Sequence, residues 1–128
     1  MGRVAFSTAG LGVATASDVR THGVRGLPAA LCFYASSEVH SCVQKALELL
    51  GLGSESLRKV PVDAQFQINL AALEQMIAAD RSRGLIPACV IGTAGTINTG
   101  AVDDLAALAR ICQREKLWFH VDGAIGAV

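Results

Sequence analysis

The sequence carries no excess of charge of either sign, since 11 basic and 11 acidic residues cancel across 128 positions to a formal net charge of zero. Without a long-range field, nothing in the charge balance points to nucleic acid or an acidic membrane surface as a partner. No apolar run approaches the ~18 residues needed to span a bilayer. Ser7, Thr8, Gly10 and Gly12 also interrupt the N-terminal stretch that a signal peptide would require. These absences give the expectation of a cytoplasmic protein with no membrane partner. Cys32, Cys42, Cys89 and Cys112 stand singly inside apolar segments with no Cys-x-x-Cys spacing. They imply buried, reduced thiols and no metal site or disulfide framework. No internal repeat or low-complexity tract breaks the chain.

What is present is a buried profile: 52% of the residues are hydrophobic and 17% charged, enough for one domain with a real core. The pattern divides at about residue 30. Residues 1–30, rich in Gly, Ala, Ser and Thr, offer one weak helical face (Leu11, Val13, Ala14, Ala16, Val19) and a loop over 23–28. From 31 to 128 the signal sharpens. Residues 31–35 form a short apolar run that reads as a buried strand. Ser36 or Ser37 is then placed to cap a helix through Leu50, with Val43, Ala46, Leu47 and Leu50 at helical spacing and Gly51 ending it. Two short extended segments follow, 57–62 and 65–68.

Asn69 caps a second helix over 70–79, with Leu70, Leu73, Met76 and Ile77 on one side and Glu74, Gln75, Asp80 and Arg81 on the other; Gly84 closes it. Residues 87–92 are a second buried strand. Asp103 or Asp104 caps a third helix over 105–115, with Leu105, Leu108, Ala109 and Cys112 inward. Residues 117–121 form a last buried strand, leading straight into Asp122. Strands and helices in this alternation predict an α/β fold, a mainly parallel sheet with helices on both faces.

In such sheets the carboxyl ends of the strands face the ligand crevice. Asp122 at that edge, followed by the small residues Gly123 and Ala124, suits an aromatic cationic ligand whose ring nitrogen a carboxylate holds protonated. The turn over 93–101 follows a strand too, and its two glycines and three threonines aim hydroxyls and amides at the same crevice or form an ordinary polar loop. His40, near the start of the first helix, reads by itself as a capping or solvent-facing residue.

Three strings in order, Ser37-Glu38-Val39-His40-Ser41, Gly92-Thr93-Ala94-Gly95-Thr96 and His120-Val121-Asp122-Gly123-Ala124, resemble the pyridoxal-phosphate-dependent decarboxylases of the aromatic-amino-acid and glutamate type, group II. The resemblance covers residues 31–128. It implies part of the large domain of a fold-type I enzyme and a lyase that releases carbon dioxide from an amino-acid substrate. It further implies pyridoxal 5'-phosphate as cofactor, and a homodimer for the full-length enzyme.

The resemblance also assigns residues. Asp122 pairs with the pyridine nitrogen, His40 stacks on one ring face and Ala124 packs on the other. Thr96 lies near the phenolic oxygen, where the family commonly has a second threonine and this chain has Ile97. Ser7 and Thr8 fall in the turn whose amides hold the phosphate, with Gly10 in place of the family's asparagine; the same stretch is otherwise a flexible terminus. None of the lysines, Lys45, Lys59 and Lys116, matches the one that bonds the cofactor. The expectation is therefore an internal fragment of a decarboxylase, inactive alone. The rival readings are a cysteine desulfurase or aminotransferase of the same fold type, against which His40 in its string speaks, and a non-catalytic α/β module.

Overall fold

The computed structural model describes residues 20–94 and 102–123. After a short 3-10 turn at Gly23–Gly26, the chain runs through β1 (Leu31–Ser36), α1 (Ser41–Leu49), β2 (Leu57–Val60), α2 (Leu70–Ser82), β3 (Ile86–Thr93), α3 (Leu105–Glu115) and β4 (Trp118–Asp122). The four strands form one sheet in the order β2-β1-β3-β4, every pairing parallel. The α/β expectation holds.

The faces follow from strand alternation. On β1, Leu31, Phe33 and Ala35 turn to one side, where they pack with Leu47 and Val43 of α1 and with Cys89 and Ile91 of β3. Cys32 and Tyr34 turn to the other, where Leu73 and Ile77 of α2 meet Leu108, Ile111 and Cys112 of α3. Each fully buried aliphatic side chain here contributes about 2 kcal/mol through removal from water. Because β1 to β2 steps one way across the sheet while β2 to β3 and β3 to β4 step the other, right-handed crossovers put α1 on one face and α2 and α3 on the opposite one.

Helix ends are where the local sequence speaks most directly. Gly51 (φ +80) and Gly84 (φ +81) take the left-handed conformation just past α1 and α2. The residues after them close the turns, Leu52 N–H donating to the Leu47 carbonyl at 2.9 Å and Leu85 N–H to that of Asp80 at 3.0 Å. Asn69 caps α2 as expected, its side chain accepting from Ala72 N–H, but the helix runs on to Ser82.

Several expectations are corrected. Neither Ser36 nor Ser37 caps α1: the Ser36 hydroxyl accepts from Glu38 N–H at 3.1 Å in a turn, and His40 is the cap. Ala46 and Leu50 are exposed, because α1, the one helix over this face among the described residues, buries only the stripe centred on Leu47. The segment 57–62 contributes β2 as an edge strand, and 65–68 only an isolated antiparallel bridge, Val62 with Ile68, around a turn held by the Asp63 carboxylate. On α3, Leu108 and Cys112 are buried and Leu105 packs against the core as expected, but Ala109 is exposed and Ala107 and Ile111 are buried instead, so the inward stripe is shifted toward the 107–111 side. Cys32, Cys89 and Cys112 are buried free thiols, but Cys42 is exposed at the start of α1.

Two further corrections matter more. β4 is an edge among the described residues, so of the expected buried strand only Leu117, just before it, is buried, while His120 and Val121 are exposed. Asp80, expected on the polar side of α2, is only 2% exposed. Its carboxylate accepts from Tyr34 Oη at 2.7 Å, Arg58 Nη2 at 2.6 Å, Arg58 Nε at 3.2 Å and Arg83 Nη2 at 2.8 Å.

Candidate active site at the carboxyl edge of the sheet

Adjacent strands β1 and β3 send the chain to opposite faces, β1 to α1 and β3 to α3. The backbone therefore parts between their carboxyl ends and leaves a crevice there, the place where open α/β sheets take ligands.

His40 stands past the carboxyl end of β1, as the cap of α1. Past Ser36 the chain turns, with Ser37 N–H donating to the Val60 carbonyl at 2.8 Å and Val39 N–H to that of Ser36 at 3.0 Å. His40 then adopts extended geometry (φ −65, ψ 143), and its Nδ1 accepts from Cys42 N–H at 3.0 Å. With Nδ1 committed as an acceptor, the neutral ring carries its proton on Nε2. The imidazole is exposed and fixed in orientation by its own helix.

Asp122 is the last residue of β4, in register with Thr93 of β3, and its carbonyl accepts from Ala94 N–H at 3.0 Å. Its half-buried carboxylate has no hydrogen-bond partner among the described residues. Alternation along β4 puts Asp122 on the side of Trp118, which packs into the cluster under α1. Thr93 shares that side with Cys89 and Ile91. Thr93 and Asp122 thus share one face at the carboxyl edge of the sheet, the edge at which His40 follows β1. β1 and β4 are two strand spacings apart, about 10 Å, with Thr93 between them.

Thr93 is held tightly. It is 5% exposed, its hydroxyl lacks a partner among the described residues, and its N–H donates to Asp103 Oδ2 at 2.9 Å while its carbonyl accepts from Asp103 N–H at 2.8 Å. The other carboxylate oxygen of Asp103 accepts from Ile68 N–H at 2.8 Å. Burial pushes the Asp103 carboxyl above the ordinary carboxylate range, against the pull of these two amides and with a smaller push from Asp63. Of the two candidate caps for α3 it is Asp104 that serves, accepting from Ala107 N–H at 3.1 Å.

Lys45 and Lys59 line a shallow groove beside His40, together with Val39, Ser41, Gln44 and Leu57. β2, which carries Lys59, is three strand spacings from β4, about 14 Å. Lys116 follows α3 at the amino end of β4, the opposite edge of the sheet. Ser7, Thr8, Thr96 and Ala124 lie outside the described residues. Among the described residues no group of three His, Cys, Asp or Glu is disposed to hold a metal ion.

Sequence reasoning missed the double acceptor role of Asp103 and the burial of Asp80. Both left a trace. Only one of two consecutive aspartates can cap a helix, and a tyrosine inside a buried strand needs a partner for its hydroxyl.

The model of the pyridoxal-dependent decarboxylase conserved domain matches residues 13–128. The chain is 42% identical over 94 residues to an aromatic-L-amino-acid decarboxylase of Bacillus atrophaeus, covering 73% of this chain and 20% of that protein. It is 40% identical over 109 residues to the human cysteine sulfinic acid decarboxylase, covering 85% and 22%. The crystal structure of mouse CSAD superposes with a TM-score of 0.82 at 40% identity, over 86% of this chain and 23% of that one. The chain thus spans about a fifth of the length of the curated relatives it matches.

Proposed function

The chain belongs to the pyridoxal-dependent decarboxylase family, and from that premise we propose that it forms part of the cofactor-binding domain of an enzyme that releases carbon dioxide from an amino acid. The observation that supports the reading is that Asp122, whose carboxylate has no hydrogen-bond partner among the described residues, and the exposed, oriented imidazole of His40 both follow strands at the carboxyl edge of the sheet.

Bound at this edge, pyridoxal phosphate supplies the electron sink for the pair left behind when the substrate's carboxylate departs. The donor set fits. The Asp122 carboxylate, without a hydrogen-bond partner among the described residues, would pair with a protonated ring nitrogen and hold that proton in place, which would keep the sink strong. His40, held through Nδ1, would cover one ring face; Ala124, outside the described residues, is the residue that the resemblance assigns to the other. Thr96, Ser7 and Thr8 also lie outside the described residues, and the resemblance assigns Thr96 to the phenolic oxygen and Ser7 and Thr8 to the phosphate. The full-length enzyme is proposed to be a homodimer in the cytoplasm, as the family resemblance implies.

The test uses a full-length family decarboxylase carrying this segment. Asp122→Asn keeps the shape and removes the charge, so turnover should fall a hundredfold or more, on the order of 3 kcal/mol. His40→Asn is chosen because asparagine is itself a good helix cap: it removes the ring and keeps the helix start. Its turnover should fall only about fivefold, the loss of roughly 1 kcal/mol of stacking, with thermal unfolding unchanged. Near-normal turnover in Asp122→Asn beside abolished turnover in His40→Asn would overturn these roles.

A further inference from the structure

Asp103 is a buried carboxylate that touches neither His40 nor Asp122, yet it organises the edge on which both stand. Each of its oxygens receives one backbone N–H, from Ile68 at 2.8 Å and from Thr93 at 2.9 Å, and its own N–H returns to the Thr93 carbonyl at 2.8 Å. Thr93 is therefore gripped on both of its backbone polar groups where β3 ends. The next residue, Ala94, donates to the Asp122 carbonyl at 3.0 Å and bridges to Val102, immediately before Asp103. The same carboxylate reaches the residue before Asn69, the cap of α2, and its neighbour Asp104 caps α3. Three elements are tied at one anionic group.

The geometry points to Asp103 as a positioning residue for Asp122: by clamping Thr93 it sets, through Ala94, where the Asp122 backbone sits at the crevice. This rests on the reading of Asp122 above. The clamp needs a carboxylate, because two inward-pointing N–H groups require two acceptors. Asparagine of the same size offers one acceptor and turns a donor toward the other amide, leaving two buried donors face to face.

The experiment again uses the full-length, cofactor-loaded decarboxylase carrying this segment. Asp103→Asn should lower kcat about 10- to 100-fold, the cost of a displacement of roughly an ångström at a reacting centre. The KM for the amino acid should stay near the parent's, and the affinity for pyridoxal phosphate, read by fluorescence titration, should fall. In an Asp122→Asn background the same change should cost far less, since no charge remains to be placed. A purely structural role would cost both backgrounds equally. Equal costs overturn the proposal, and so do parent-like kcat and cofactor affinity in Asp103→Asn. Should that variant not accumulate folded, Asp103→Ser leaves room for a water between the two amides and takes the same measurements. If neither variant folds, Asp103 serves the fold alone and the positioning role falls. Parent-like turnover in Asp122→Asn by itself would instead remove the reading of Asp122, whatever Asp103 does.

Discussion

Asp80 shows how far one side chain can depart from its place in a pattern. Burial works to raise its carboxyl, but hydrogen bonds from Arg58 and then Tyr34, with the charge of Arg58 and a bond from Arg83, hold it below the ordinary carboxylate range. A folded value below the unfolded one means a contribution fully present above about pH 4 and lost as pH falls through the folded value. Asp103, whose carboxyl is raised, acts with the opposite sign: its contribution is present at low pH and lost as pH rises through its folded value. Asp80→Asn should lower the unfolding free energy by about 2 kcal/mol at neutral pH, less than the ~3–5 of a fully buried pair because the Arg58 and Arg83 side chains left behind are partly wet. Urea unfolding of parent and variant from acid to neutral pH checks it. The gap between the two should narrow as pH falls, while the Asp103 contribution, common to both, cancels.

Among the elements, β3 is the one on which the site depends, and its packing against α3 is tight. A methyl group at Gly92 would lie 2.9 Å from Phe119 Cε1, 3.0 Å from Leu105 Cδ2 and 3.1 Å from Leu108 Cδ1. Gly92 thus lets α3 and β4 approach the strand whose next residue, Thr93, is clamped by Asp103. Gly92→Ala should destabilise the chain by about 1–3 kcal/mol through overpacking, seen as a lower denaturation midpoint at unchanged slope. Leu105→Ala in the same chain should return part of the loss by vacating one of the three contacts. An alanine variant as stable as the parent would mean that the helix shifts freely, and the edge would then be less rigid than its hydrogen bonds suggest.

At the scale of the whole molecule, the two faces are unequally covered by the described residues. Among these, α2 and α3 together close one side, while α1 alone lies over the other and turns Leu49, 88% exposed, and Leu50, 70% exposed, to water. Val121 on the edge strand β4 is exposed as well. Apolar side chains beside an unpaired strand edge favour association. The 128-residue chain should therefore self-associate in sedimentation and bind a hydrophobic dye. Leu49→Lys with Leu50→Gln should reduce both without lowering thermal stability, since neither leucine packs into the core. A clean monomer with no dye binding would contradict this.

Element type was legible because helix and strand periods, caps and glycine stops are local. Asn69, Gly51, Gly84 and the apolar run of β3 act within a few residues of themselves and behave as their neighbours dictate. The candidate edge was legible in part, since Asp122 follows an apolar run and His40 follows a strand. Order across the sheet is a different kind of fact: that β1 lies between β2 and β3, opening the crevice between β1 and β3, is settled by which faces α1, α2 and α3 cover. The long-range polar partners belong to the same class, Asp80 with Tyr34 and Arg58, Asp103 with Ile68 and Thr93. The sequence alone determined the α/β alternation and put Asp122 just after an apolar run and His40 just after a strand. Only the tertiary structure decided which carboxylates are buried, Asp80 and Asp103, because burial depends on what packs from elsewhere in the chain.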